Sequence, residues 1–182
     1  MTSLGIMSRL AHPLSVTLVA VLLMAGHIAA QAWTNFSSAE GRFSILMPAK
    51  VAAGTFDLLT SSLKVTAYAF TALSQSIMVR CGYYDFPSPR QDPERVFDET
   101  RDGSIRSVHG TLLTEMKLAK DGYSGRRFRS TGLGNAVVDE EMYLVGLRFY
   151  LITITTSTKT PNANIKKVFD SFHFTVINSC RQ

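Results

Sequence analysis

The chain has 182 residues, with 19 Lys and Arg against 14 Asp and Glu, and 46% of its residues are hydrophobic. The basic residues are spread along the sequence and form no Lys/Arg-rich run, which argues against nucleic acid as a partner. The sequence contains no internal repeat, low-complexity tract or interdomain linker.

Residues 1–32 have the pattern of a secretory signal peptide. Arg9 precedes an uncharged apolar run at 14–24, which leads to the small-residue motif AQA at 30–32. We expect cleavage after Ala32, and Met7 is an equally good start for such a segment. The apolar run is shorter than the ~20 residues that a spanning helix needs, so an uncleaved membrane anchor is the less favoured alternative.

The expected mature chain, residues 33–182, has the length of one domain. The signal predicts a periplasmic or secreted protein that is not an integral membrane protein after cleavage. Arg9 is the only charged residue before position 33, so the mature chain stays mildly basic. An anionic envelope surface therefore remains a possible partner.

Two cysteines, Cys81 and Cys180, remain in the mature chain, and neither directly follows the signal as a lipid-anchored cysteine would. An even count in an exported protein suggests a disulfide. This bond would close a loop of about 100 residues and stabilise the fold by up to ~4–5 kcal/mol on a chain-entropy model. The alternative is two separate thiols, with Cys81 buried in a strand.

Strand patterns dominate the first half of the mature chain. The predicted strands are residues 33–36, 42–47, 55–60, 64–71 and 77–84. The turn-rich SSAEG between the first two predicts a hairpin, and Pro48 ends its second strand. In the fifth strand, alternation places Val79, Cys81 and Tyr83 on one face and Arg80 on the other.

A helix is predicted from Asp92-Pro93 to Val108. Asp can cap the free N–H groups, and Pro at the first helical position lacks the N–H that would stay unbonded. The apolar stripe of this helix is thin, and small residues stand at 103 and 104. We therefore expect the helix to lie on a sheet with one face open to water.

Strands return in the second half of the chain. The predicted strands are residues 112–118, 126–131, 137–145 and 148–156, and their turns indicate a meander. A second helix is predicted by Ile165, Val168, Phe169 and Phe172, which recur at i, i+3, i+4 and i+7. A short final strand through Phe174 follows.

A mostly antiparallel sheet with two separated helices indicates an α+β sandwich. The segments WTNFSSAEGRFSILMP, GYYDF, TRDGSI, DGYSGRRFR, YLVGLRFYL and FDSFHF resemble a group of exported bacterial proteins of unknown function with the PsbP-like α/β/α sandwich fold. This fold also hosts a photosystem extrinsic subunit and a nuclear-import factor. The resemblance spans nearly all of 33–182 and implies an accessory or binding role, but no particular activity.

Metal motifs are not found in the mature chain. Its two histidines, His109 and His173, belong to no HExxH or Cys-rich spacing, so we expect no transition-metal site. Glu94, Asp98 and Asp102 recur every fourth residue on one helix face, a spacing that a hard cation could use. Arginines at three and four residues' distance favour a solvated, ion-paired face instead.

Two glycine-containing segments match catalytic or nucleotide-binding motifs only in part. GYSG at 122–125 lacks the final glycine of G-x-S-x-G and is interpreted as a turn. GLGNAV at 132–137 lacks the third glycine of a dinucleotide loop and is interpreted as a hairpin. We therefore expect neither an enzyme activity nor a cofactor.

The segment DGYSGRRFRS at 121–130 concentrates three arginines beside two aromatic residues. If GLGN turns the chain tightly, Arg127 lies opposite Glu140 and Arg126 opposite Glu141. The acidic run of the next strand would then offset most of the basic run. Because Phe128 requires burial, alternation also places Arg126 on the packed face.

Two roles for Arg126 follow from this placement. Its stem can cover apolar surface while its planar head meets a carboxylate, which is a structural role. Alternatively, Arg126 forms an anion-binding rim together with Tyr123 and Arg148.

Three functions remain in view. The leading hypothesis is a non-enzymatic accessory or binding protein of the bacterial cell envelope, which binds an envelope protein. The second is a module for a small anionic or lipid ligand, with an apolar pocket between sheet and helices. The residues proposed to line that pocket are Phe97, Phe128, Phe149 and Phe169. The third is an enzyme whose dispersed site draws on Asp139, Glu141, His173 and the tyrosines.

Overall fold

Antiparallel strands make up most of the chain that the structure describes. The computed structural model describes residues 33–48, 50–60, 63–74, 76–90, 92–157 and 162–175. The strands are β1 Trp33–Ser38, β2 Phe43–Pro48, β3 Ala52–Thr60, β4 Leu63–Leu73, β5 Ile77–Asp85, β6 Leu112–Lys120, β7 Tyr123–Thr131, β8 Ala136–Val145, β9 Arg148–Ser157 and β10 His173–Phe174. The helices are α1 Pro93–Ser107 and α2 Asn162–Ser171, and a 3-10 turn covers Leu133–Asn135.

The strands form two sheets. One sheet has seven strands in the order β3-β4-β5-β9-β8-β7-β6, and the other has three in the order β1-β2-β10. Neighbouring strands are antiparallel in both sheets. The predicted α+β sandwich is confirmed, including the two separated helices and the meander of the second half.

The closed face of the seven-stranded sheet is the one that carries Val79 and Cys81 of β5. It packs against the three-stranded sheet and α2. The fully buried side chains between these layers include Phe43, Ile45, Met47, Ile152, Ile154, Val168 and Phe172. Burial of this apolar area is the main source of stability for the fold.

The open face of the sheet carries Gly82 and Tyr84 of β5 and packs against α1. Its core is smaller and consists of Phe86, Val96, Phe97, Phe128, Met142 and Phe149. Among the described residues, α1 is the only helix on this face. The three layers of the sandwich are therefore α1, the large sheet, and the small sheet together with α2.

The ends of α1 follow the local chemistry of the sequence. The Asp92 carboxylate accepts a hydrogen bond from the Arg95 N–H at 3.1 Å, as the predicted cap requires. Beyond the helix, the N–H of Gly110 donates to the Ile105 carbonyl at 2.9 Å. A Cβ atom at Gly110 would lie 2.1 Å from the Thr131 carbonyl oxygen, so the close approach of these backbones requires glycine.

The predicted pairing of β7 with β8 is wrong by one residue. Arg127 lies opposite Glu141 instead of Glu140, and Arg126 lies opposite Met142 instead of Glu141. Side chains of a strand alternate between faces, so this shift changes which carboxylates the arginines can reach.

The connection between β7 and β8 explains the shift. The 3-10 turn Leu133–Asn135 occupies it, and the Gly132 N–H donates to the Ala136 carbonyl at 2.8 Å. This turn takes up one residue more than a tight hairpin, so Thr131 faces Val137.

The predicted signal peptide, residues 1–32, lies outside the described residues, as does Cys180. In the described part of the chain, neither helix is long and apolar enough to cross a bilayer.

Candidate functional site

A groove with a volume of about 1100 Å³ lies between α1 and the open face of the sheet. Its floor is built by side chains of β4, β5 and β9, and its roof by the middle and last turns of α1. The groove exceeds the upper end of the range for small-molecule sites, which is about 1,000 Å³.

The groove exists because α1 presents small side chains to this part of the sheet. The first turns of the helix place Val96 and Phe97 in the core. The following turns place Thr100, Gly103, Ser104 and Ser107 over the groove. A Cβ atom at Gly103 would meet nothing within 4 Å, so the helix stands over open space there.

The floor of the groove is apolar and is low at its centre. Gly82 of β5 lies in register with Ala69 of β4 and Leu151 of β9, so small side chains dominate this row. Towards one end, the rings of Tyr84 and Phe149 lie 5.2 Å apart. Burial raises the pKa of Tyr84 to about 12, so its phenol stays protonated at neutral pH.

A buried carboxylate marks the inner wall of the groove. The Glu140 side chain accepts hydrogen bonds from the Ser104 hydroxyl at 2.5 Å and the Thr153 hydroxyl at 2.7 Å. Only 2% of Glu140 is exposed, and this burial raises the pKa of its carboxyl group. Because Ser104 belongs to α1, Glu140 ties the helix to the sheet.

Two arginines of the groove form no ion pair with a described residue. Arg80 stands on the floor, and its Nε donates to the Thr71 hydroxyl at 3.3 Å. The Arg90 guanidinium lies 4.6 Å from the centre of the Phe86 ring. The groove therefore combines apolar floor residues with two guanidinium groups that no described carboxylate contacts directly. Glu140 is near enough to Arg80 for the guanidinium charge to oppose the effect of burial on the Glu140 pKa.

Arg126 lies outside this groove, in a cluster of carboxylates on the open face. Its guanidinium contacts Glu94 at 2.6 Å and Glu115 at 2.9 Å, and it also binds Asp98. It stands 5.7 Å from the centre of the Phe97 ring. Pairing with Lys117 and Arg126 holds the pKa of Glu94 below its usual range, and pairing with Arg126 lowers the pKa of Asp98.

This arrangement favours the structural role of Arg126 over the anion-binding one. The side chain is 6% exposed and already has three carboxylate partners, which fix α1 to β6 and β7. Asp102 pairs with Arg101 at 2.8 Å, so all three carboxylates of the helix face are ion-paired. Among the described residues, no three His, Cys, Asp or Glu side chains are grouped as a metal site.

Tyr123 and Arg148 do not share a rim with Arg126. Both lie on the closed face, where Tyr123 contacts the Phe174 ring at 5.3 Å and Arg148 binds Asp85 at 2.7 Å. The placement of Arg126 on the opposite face follows from strand alternation. Tyr123 is also the first residue of β7, so the interpretation of GYSG as a turn is wrong beyond Gly122.

The residues considered for an enzyme site are dispersed. Glu141 is 1% exposed and binds Arg127 and the Tyr143 hydroxyl. Asp139 lies 3.7 Å from Arg129, and burial raises its pKa. His173 is exposed in β10. Asp139 and Glu141 thus lie on the closed face beside arginines of β7, whereas His173 belongs to the small sheet.

The four phenylalanines predicted to line an apolar pocket have different positions. Phe149 lines the groove. Phe97 and Phe128 fill the core of the open face, with 0% and 1% exposure. Phe169 belongs to α2 and packs on the closed face. The sequence thus indicated a pocket between sheet and helix, but most of its predicted lining is wrong because three of these rings are packed in the two cores.

Cys81 is a free thiol at the centre of β5 and is completely buried. Burial in apolar surroundings raises its pKa. Because Cys180 lies outside the described residues, the disulfide between them stays a prediction.

Comparisons with known proteins identify the fold. No family model and no curated protein matches the chain. Among solved structures, it is similar to cyanobacterial PsbP (CyanoP) from Synechocystis sp. PCC 6803, with 14% identity, a TM-score of 0.55, and coverage of 82% of this chain and 96% of that one.

Two further solved structures show weaker similarity. One is a protein of unknown function from Pseudomonas aeruginosa, described as a putative regulator, with 10% identity, a TM-score of 0.38 and coverage of 69% and 83% of the two chains. The other is a Bacteroides thetaiotaomicron protein with 8% identity, a TM-score of 0.40 and coverage of 79% and 48%. The similarity to CyanoP shows that the chain has the PsbP-like α/β/α sandwich fold, as its sequence motifs predicted.

Proposed function

We propose that the protein is an exported, non-enzymatic binding protein of the bacterial cell envelope, and that the groove over the open face is its ligand site. The observation that carries this proposal is the groove of about 1100 Å³ under α1. Protein interiors are normally close-packed, so a space of this size beside a well-packed core requires an explanation.

The local sequence supports a site that is kept open. A larger residue than Gly103 would meet no neighbouring atom through its Cβ, yet glycine weakens a helix by roughly 0.5–1 kcal/mol relative to alanine. Gly103 thus destabilises α1 but keeps the groove below the helix open.

Export and a binding role rest on further observations. Arg9, the apolar run at 14–24 and the AQA motif support a cleaved signal. Of the two carboxylates considered for an enzyme site, Glu141 is paired with Arg127 and the Tyr143 hydroxyl, and Asp139 lies 3.7 Å from Arg129. A non-enzymatic role is also in line with the PsbP-like fold, although a fold alone does not determine function.

Native mass spectrometry of the protein, gently purified from its host's envelope without reductant, tests this proposal. We expect a polypeptide mass that corresponds to cleavage after Ala32, together with an added ligand mass. The variant Gly103→Phe should lose the added mass because its ring projects from α1 into the groove and narrows it. Arg106→Phe is the matched control, since it adds the same ring to an exposed position of α1 outside the groove.

Different results of this experiment test the groove and the export of the protein separately. A ligand that remains on Gly103→Phe, or no ligand on the wild type, would contradict the groove as the site. A full-length polypeptide found in the cytoplasm would contradict export.

A further inference from the structure

We propose that the groove binds a single-chain fatty acid, with the carboxylate at Arg80 and the acyl chain along the floor towards Tyr84 and Phe149. This inference rests on the proposed function and names the ligand class of the same site. It is argued from the charge, the shape and the length of the groove.

Arg80 is the group that selects an anion. It is exposed at the floor, and its Nε–H reaches the Thr71 hydroxyl of β4, on the side away from Glu140. The guanidinium is not ion-paired with a described residue. One guanidinium offers two parallel N–H donors, which match the two oxygens of one carboxylate.

A recess beside Arg80 provides room for the carboxylate. It has a volume of about 380 Å³ and shares Phe56, Ala69 and Arg80 with the larger groove. Thr71, whose hydroxyl accepts the hydrogen bond from Arg80, also lines this recess. The two spaces therefore meet at Arg80, so that one molecule can place its head group in the recess and its chain in the groove.

The floor on the other side of Arg80 suits an acyl chain. Gly82, Ala69 and Leu151 form its low central row, and Tyr84 and Phe149 bound its far end. Four residues of a strand span about 13 Å, which is the length of an extended chain of roughly ten carbons. A flexible apolar chain would cover the part of the sheet that α1 leaves bare.

The acidic groups of the groove already have partners. Asp92 caps α1, Glu99 pairs with Arg95 at 2.7 Å, and Glu140 is held by two hydroxyls. Beyond the Arg95–Glu99 pair, the groove has two arginines, Arg80 and Arg90, and two carboxylates, so its charges balance overall. Among the described residues, the recess is lined by one charged side chain, that of Arg80, and this local positive charge favours an anionic head group over a cationic or neutral one.

Binding of three matched probes to the delipidated, exported protein tests the inference. The probes are dodecanoate, 1-dodecanol and dodecylamine, measured by calorimetry below their aggregation concentrations. We expect dodecanoate to bind most tightly. Arg80→Gln should weaken dodecanoate binding by about tenfold or more, the effect of losing a charge-assisted pair, and leave dodecanol binding unchanged.

Two further variants complete the experiment. Gly103→Phe should weaken binding of dodecanoate and dodecanol together, because its ring projects from α1 into the groove and narrows it. Arg106→Gln removes an exposed arginine outside the groove and should bind like the wild type. Circular dichroism and thermal unfolding of each variant verify that it is folded.

Equal affinity for dodecanoate and dodecanol, tighter binding of dodecylamine, or equal effects of Arg80→Gln and Arg106→Gln would overturn the fatty-acid assignment. If a different native ligand is lost from Gly103→Phe while dodecanoate does not bind, the assignment fails and the proposed function stands. If Gly103→Phe alters no binding at all, both fail.

Discussion

The two faces of the seven-stranded sheet are covered in different ways. The closed face meets a second sheet and a helix, and aromatic rings fill the space between them, such as Phe172, which stacks 5.7 Å from Tyr143. The open face meets one helix that is fixed at its start by Arg126 and its carboxylates. Apolar packing closes the first face, whereas α1 contacts the second face through a small apolar core and a few ion pairs near its start and leaves a groove beside its later turns.

This difference indicates how one sheet can provide both stability and an accessible site. Dense apolar packing contributes most of the free energy of folding and leaves no room for a ligand. A helix attached by charged side chains needs little contact area, so the rest of the sheet surface stays open. The comparison predicts that substitutions on the two faces differ in how much they lower the free energy of unfolding and in how this loss depends on pH.

The largest effect is expected on the closed face. Phe172 is completely buried and lies 5.8 Å from Phe43. Phe172→Ala should lower the free energy of unfolding by about 3–5 kcal/mol, because it removes a large ring and leaves a cavity. Urea unfolding measures this loss. Leu133→Ala, at a 65% exposed position, should change it by less than about 0.5 kcal/mol; equal losses would mean that the closed face is not the main core.

A smaller effect is expected from the ion pairs of the open face. Arg126→Met should lower the free energy of unfolding by about 2–3 kcal/mol, below the usual range for a broken buried pair because Glu94 and Asp98 still reach water. Arg95→Met is the control, since its pair with Glu99 is exposed to solvent and contributes little to stability. If urea unfolding finds Arg126→Met as stable as the wild type, apolar contacts alone hold α1.

The smallest effect is a pH dependence with opposite signs at two carboxylates. The pKa of Asp98 is lowered by Arg126, so its contribution to stability is present above its unfolded pKa and is lost as pH falls through the folded pKa. The pKa of Glu140 is raised by burial, so its contribution is full below its unfolded pKa and declines as pH rises through the folded pKa.

Two amide variants test these signs. As pH rises from about 2 to about 5, we expect Asp98→Asn to lose stability relative to the wild type, because the wild type gains the Asp98 ion pair over this range. As pH rises from about 4 to about 7, we expect Glu140→Gln to gain stability relative to the wild type. Urea unfolding at a series of pH values measures both differences. The same slope for both variants would contradict the opposite environments of the two carboxylates.

The architecture was predictable because its signals are local. The alternation of residues 77–84 predicted both faces of β5, and Asp92-Pro93 predicted the start of α1. The i, i+3, i+4, i+7 pattern from Ile165 predicted α2. Hydrophobic period and capping act over a few residues, so one sequence contains them in full.

The candidate site depends on distant contacts and was largely missed. Glu94 and Asp98 were recognised as one helix face, but their partner Arg126 lies about 30 positions further along the chain, at separations of 32 and 28. The roles of Arg80 and Glu140 required the strand order of the sheet. The small residues at 103 and 104 were the one local signal of the groove, because a helix without large side chains cannot fill the space beneath it.

The burial of Cys81 also makes this residue an internal reporter of sheet opening. Its thiol is completely buried and its pKa is raised, so a labelling reagent finds almost no accessible thiolate while the fold is intact. Reaction therefore requires β5 to separate from the layer above it. In a Cys180→Ser background, the rate of labelling would therefore report how often β5 opens, without any engineered change in the core.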